Sequence, residues 1–144
     1  MNDYGVLGFI LGAGLIFFIL FLAFFIVAYV LFAIGLQTLA NNKGLQYPWL
    51  AWIPIVNLYL LGLLVKEESK IPYIEWILPG GTAFLSIFGD FLFGLLSIAL
   101  FVINIMTLYL LYKKYSKNYI IMTVLSIILP VLSPFFVFAI RNNQ

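Results

Sequence analysis

Apolar residues run along this chain in long unbroken stretches, not in the alternating or three-to-four-spaced stripes of a water-soluble fold. Five stretches stand apart: Gly5 to Leu36, Leu45 to Val65, Ile71 to Phe88, Phe91 to Tyr112 and Tyr119 to Ile140. The linkers between them, Gln37–Gly44, Lys66–Lys70, Gly89–Asp90 and Lys113–Asn118, are short and polar, and none can hold a separate domain. A membrane barrel would need many segments of about ten residues that alternate apolar and polar. Helices satisfy their own backbone groups, as lipid requires. The pattern predicts an all-α, polytopic membrane helix bundle, one transmembrane domain over residues 1–144, with four or five segments spanning. The first segment carries no charge over 32 residues. As a helix it is about 48 Å long against a hydrocarbon core of about 30 Å, so it must tilt, protrude or bend. The third is the weakest, with Glu75 near its start and a Pro79-Gly80-Gly81 break.

Composition agrees with this solvent. Hydrophobic residues make up 65% of the chain and charged residues 8%, too few to give a domain of this size a polar shell. The absence of Cys removes disulfides and thiol chemistry. The absence of His removes the commonest metal ligand and the usual general base. A net charge of +2 gives no footprint for nucleic acid. The opening Met-Asn-Asp-Tyr-Gly lacks a basic residue and the apolar run behind it is too long for a cleaved signal, so the first helix is expected to be retained.

Basic residues set two competing orientations. With five spans, Lys66 and Lys70 share a side with Lys113, Lys114 and Lys117, leaving Lys43 and Arg141 opposite. The positive-inside rule makes the two lysine loops cytoplasmic, Asp90 and the C-terminus external, and the N-terminus internal. The second model starts from the segment Tyr47 to Tyr59. It has Pro54 removing a backbone donor, Asn57 near its middle and aromatic residues at one end. If it dips in and returns, Lys43 joins the cytoplasmic side, the count becomes six to one, and the N-terminus moves outside. A proline-containing span and a re-entrant loop both remain open.

The run Pro48-Trp49, Trp52-Ile53-Pro54, Asn57 and Tyr59, preceded by Lys43-Gly44, resembles a PW-x-x-W-IP-x-x-N-x-Y segment of small polytopic bacterial membrane proteins of uncharacterised function. The tail Leu125 to Pro130, with Pro134 and Ile140-Arg141-Asn142-Asn143, is similar to their C-termini. The resemblance implies a multi-pass protein of a bacterial inner membrane and brings no activity with it.

Catalytic constellations are missing. An intramembrane aspartyl protease needs two Asp sharing a proton, and Asp90 has no partner at depth. Ile87 also stands where a Gly-x-Gly-Asp pattern needs its first Gly. Serine chemistry lacks a base, zinc chemistry lacks His, and Gly80-Gly81 is not followed by Lys-Ser or Lys-Thr. Neither a catalytic residue, a metal site nor a cofactor is expected. Glu67 and Glu68 read as a solvated loop, and Glu75 as a headgroup-level partner of Lys70 or an interior site.

The polar residues of interest are Asn57, Asn104 and Thr107, with Pro54. Asn104 lies near the middle of the fourth segment and Thr107 one turn on. They read as interhelical glue, or as a solute or ion site with a carbonyl freed by Pro54. Gly5, Gly8 and Gly12 share a helix face, with a GxxxG match, and mark a candidate contact within the chain or between copies. The Lys113–Lys117 cluster reads as a topology determinant or a weak anionic-lipid contact. These readings point to a non-enzymatic interaction or accessory protein of the cell membrane. Its expected partners are the bilayer and another membrane protein or a second copy, with immunity against a membrane-active peptide as one version. The alternative is an oligomeric channel or small-solute carrier. A dry apolar interior favours the first and a continuous polar path the second.

Overall fold

A computed structural model describes residues 3–88 and 94–143. Among these residues every regular element is helical: α1 (Asp3–Asn42), a 3-10 turn (Pro48–Trp52), α2 (Asn57–Val65), α3 (Ile74–Phe88), α4 (Gly94–Tyr115), α5 (Tyr119–Ile128), a second 3-10 turn (Pro130–Leu132) and α6 (Ser133–Ala139). Two helices, Gly5–Asn42 and Leu96–Tyr115, are long and apolar enough to cross a membrane. Five spanning segments are not supported, because the second and fifth stretches each fold back on themselves. Asp90 lies outside the described residues.

The second stretch is turned twice. α1 ends on Gly44, whose φ of 68° is open to a residue without a side chain. Leu45 N–H donates to the Ala40 carbonyl and Gly44 N–H to the Asn41 carbonyl, so a Schellman motif reverses the chain. The chain then runs back along α1. Trp52 Nε1 donates to Gln37 Oε1 at 2.8 Å, and the Tyr29 hydroxyl donates to the Trp52 carbonyl at 2.7 Å. A second reversal falls at Pro54-Ile55, where Ile55 takes φ 68°, a strained setting for a β-branched residue. α2 then returns, and Lys43 Nζ reaches the Leu64 carbonyl at 3.2 Å. Pro54 thus caps a hairpin, not a kink within one span.

The fifth stretch behaves alike. α5 stops at Leu129 because Pro130 has no N–H to continue the ladder. After the 3-10 turn, α6 runs back along α1. Asn42 Nδ2 donates to the Arg141 carbonyl at 3.1 Å, and Asn143 Nδ2 to the Tyr115 carbonyl at 2.7 Å. The ends of α1, α2, α4 and α6 therefore meet at one end of the bundle, from which α3 and α5 also start. The two hairpins, of nine and ten helical residues per long arm, reach about 14–15 Å from that end.

Packing is tightest where glycine lets backbones cross. A Cβ on Gly35 would meet Phe138 Cα at 2.9 Å, where α6 crosses α1. One on Gly62 would meet Glu75 Cα at 2.5 Å, where α2 crosses α3. The core around these crossings is built from Leu36, Leu39, Leu60, Leu61, Leu64, Ile74, Leu111 and Tyr112. α1 from Gly5 to Val27 lies outside it, exposed throughout. A Cβ on Gly5, Gly8 or Gly12 meets nothing within 4 Å, so the expected glycine face makes no contact among the described residues.

Candidate functional site: a polar end and an apolar cleft

The shared end collects all the basic residues of the chain. Lys43, Lys66, Lys70, Lys113, Lys114, Lys117 and Arg141 lie in, or within four residues of, the segments that meet there. Neither orientation expected from sequence gathers all seven, since the five-span reading set Lys43 and Arg141 apart and the re-entrant reading still set Arg141 apart. Three glutamates lie among them. Glu67 forms ion pairs with Lys43 at 3.3 Å and with Lys114 at 3.6 Å, and Glu68 accepts from Lys114 at 2.5 Å, so one loop is clamped to the end of α1 and to α4 together. The hydrogen bond and charge of Lys43, with the charge of Lys114, hold the Glu67 carboxyl below the ordinary carboxylate value.

Glu75 is buried at the α2–α3 crossing and pairs with Lys66 at 2.7 Å, not with Lys70 as the sequence suggested. Its second oxygen has no hydrogen-bond partner. The Glu75 bond, ahead of its charge, raises the Lys66 amine above its ordinary value.

About half-way down the bundle lies an apolar cleft of about 570 Å³. Phe25 to Phe32 of α1 form one wall, Leu58 and Leu61 of α2 a second, Asn104 and Leu108 of α4 a third, and the Pro130–Pro134 turn the floor. The second hairpin thus brings its tip to the cleft, and the first brings its α2 arm. Asn104 also borders a smaller cleft between α3 and α4 with Thr82 and Ser86.

The expected polar constellation is not assembled. Thr107 is buried and donates to the Ile103 carbonyl of its own helix at 2.8 Å. Asn57 is buried at the start of α2 but is not in the cleft wall, and Pro54 is exposed at the hairpin tip. The Asn104 amide makes no hydrogen bond to any described residue. An interhelical contact that no motif signals joins α4 and α5, where the Tyr112 hydroxyl and Ser126 Oγ meet at 3.2 Å. Thr38, Thr82, Ser86 and Thr123, like Thr107, bond the carbonyl four residues back. Among the described residues, no cluster of three or more acidic, His or Cys side chains is placed to hold a metal.

No family model, characterised protein or solved structure matches this chain.

Proposed function

We propose that the chain is a multi-pass cell-membrane protein that acts by binding a partner within the lipid phase. In this reading α1, α3 and α4 cross the bilayer. The two hairpins enter from the basic end and turn back near the middle, since 14–15 Å is about half of a hydrocarbon core. The seven basic residues then all face the cytoplasm, as the positive-inside rule requires, and the start of α1 lies outside. Irregular backbone at depth is tolerated where protein buries it. The first turn is tied to α1 by the bonds of Tyr29 and Gln37 to Trp52, and Val131 to Pro134 of the second are half-buried.

The observation that carries the binding role is Asn104: an amide on the wall of an apolar cleft with no hydrogen bond among the described residues. An amide without a partner in lipid gains from a hydrogen-bonding ligand or helix that enters the cleft. A conducting role finds less support, because a pore needs polar groups along its length and the hydroxyls of Thr38, Thr82, Ser86, Thr107 and Thr123 are occupied by their own backbones. The role is that of an interaction or accessory protein, with protection against a membrane-active peptide as its specific version, in a bacterial inner membrane.

The test is a photo-reactive residue at position 108, on the cleft, or at 98, on the exposed side of α4. In native membranes, a discrete crosslinked product from 108 but not from 98 is the expected result. Equal, diffuse labelling of lipid from both positions, together with single-channel currents from pure protein in liposomes, overturns it in favour of a channel.

A further inference from the structure

We propose that the polar end carries a binding site for the headgroup of an anionic phospholipid. The site lies in the concave surface between the Lys113–Lys117 segment and the C-terminal Asn142-Asn143. This goes beyond the cleft but rests on the reading that this end lies at a membrane surface.

The argument begins with the balance of charge. Seven basic residues share the end with three glutamates, a net charge of +4. The glutamates are already engaged: Glu75 with Lys66, Glu67 with Lys43 and Lys114, and Glu68 with Lys114. That leaves Lys70, Lys113, Lys117 and Arg141 without a carboxylate partner among the described residues. Arg141 is occupied otherwise, stacked 3.5 Å over the Phe138 ring and donating to the Phe138 carbonyl.

Two of the free cations converge. Lys113 and Lys117 border a depression of about 660 Å³ together with Lys114, Ser116, Asn142 and Asn143. Its wall is fixed rather than loose. Asn143 Nδ2 holds the Tyr115 carbonyl at 2.7 Å, and Ser116 Oγ accepts the Asn118 N–H at 3.2 Å. Lys113 lies 5.9 Å over the Tyr109 ring, which directs its stem along the helix toward the boundary. Among the described residues, the lining offers ammonium groups and amide donors and no carboxylate. That donor set suits a phosphate diester. The position of the depression, where α4 leaves the apolar layer, is the level of lipid headgroups rather than of bulk solvent.

The experiment uses the full chain purified in an uncharged detergent. Short-chain phosphatidylglycerol, short-chain phosphatidylcholine and inorganic phosphate are titrated separately, with adducts counted by native mass spectrometry. The expected result is a retained phosphatidylglycerol adduct that phosphatidylcholine does not form. It weakens about five-fold per lysine removed, hence roughly twenty-five-fold in the K113Q/K117Q variant. K70Q, which alters a free cation outside the depression, leaves it unchanged. Melting of each variant without lipid is expected to match the parent, since both lysines are exposed. Undiminished binding by K113Q/K117Q, or an equal loss in K70Q, overturns the site in favour of a diffuse basic surface. Competition by inorganic phosphate at the same concentration overturns the lipid in favour of a soluble anion. The membrane reading is tested apart from this by alkaline carbonate extraction of native membranes. Release of the chain refutes that reading whatever the adducts show.

Discussion

Asn42 and Arg141 stand 99 positions apart, yet the side-chain amide of the first donates to the backbone carbonyl of the second at 3.1 Å. That bond ties the end of α1 to the end of α6 and turns the whole C-terminal stretch into a hairpin. In the membrane reading it also decides the side on which the C-terminus lies.

Sidedness follows from it. The native chain has no Cys, so single-Cys variants need no background removal. Asn41→Cys, Ser69→Cys, Ser116→Cys and Asn142→Cys are expected to behave alike: shielded from an impermeant thiol reagent in intact cells and labelled after lysis. Gly5→Cys, at the far end of α1, is expected to label in intact cells. Labelling of 41 and 142 but not of 69 and 116 would restore five spans.

Most of the helical content was legible in the sequence, and most of the topology was not. Continuous apolar runs such as Phe91 to Tyr112 leave helix as the one structure lipid permits. A hairpin and a proline-kinked span, however, share the same local signals. Pro54 and Asn57 suited both. Pro130 and Pro134 were signals of a break in the fifth stretch, but a single long apolar run outweighed them. Deciding between the two needs contacts across long sequence distances, such as Lys43 with Glu67 or Asn143 with Tyr115. The gathering of all seven basic residues is a consequence of those contacts. The candidate polar residues were visible by type, but their partners were not. A Thr in a helix bonds either its own backbone or a neighbour, and composition does not choose between them.

Glycine substitutions separate the crossings from the free face. Gly35→Ala and Gly62→Ala place a Cβ within 3 Å of a neighbouring backbone, and overpacking of this kind costs about 1–3 kcal/mol. Gly8→Ala meets nothing, so it is expected to be neutral or to gain up to about 1 kcal/mol of helix propensity. Melting in detergent, monitored by aggregation, reads the difference. A loss at Gly8 equal to that at Gly35 would place an intermolecular contact on the free face.

Backbone strain at the first hairpin tip is testable in the opposite direction. Ile55 holds φ 68°, which costs an L-residue about 1–2 kcal/mol relative to Gly. Its side chain lies at the exposed margin, so little packing is lost on truncation. Ile55→Gly is expected to raise the melting midpoint. A lower midpoint would mean that the Ile55 side chain is held by contacts worth more than the strain.

Acid should loosen the polar end. The Glu67 carboxyl is held below its ordinary value of 4.5, chiefly by its bond from Lys43. A depressed carboxylate contributes stability above its unfolded value and loses it as pH falls through the folded one. The Lys66 amine is raised above 10.5 by Glu75, so its contribution is present below 10.5 and is lost only at still higher pH. Melting is therefore expected to be flat with pH in the neutral range and to fall below about pH 4.5. In Glu67→Gln that fall should be shallower. An unchanged acid limb would show that the clamp contributes nothing measurable.

Asn104→Leu distinguishes glue from a binding surface. If the amide held two helices together, its loss would remove an interhelical bond of about 0.6–2 kcal/mol and lower the melting midpoint. Among the described residues the amide has no hydrogen bond to lose, and the cleft around it is lined by Phe25, Phe32, Leu58, Leu61 and Leu108. Replacing an unpaired amide by an apolar group of similar size removes a desolvation cost. The variant is therefore expected to insert normally and to melt at or above the parent temperature. Thr107→Val serves as the comparison, because Thr107 Oγ1 donates to the Ile103 carbonyl in its own helix and is not in the cleft wall. It should leave binding intact. The crosslinked product expected from position 108 is the second readout. It should be lost when Asn104→Leu is combined with the photo-reactive residue and kept when Thr107→Val is. A destabilised Asn104→Leu that still forms the product would return Asn104 to a packing role and remove the observation on which the binding role rests.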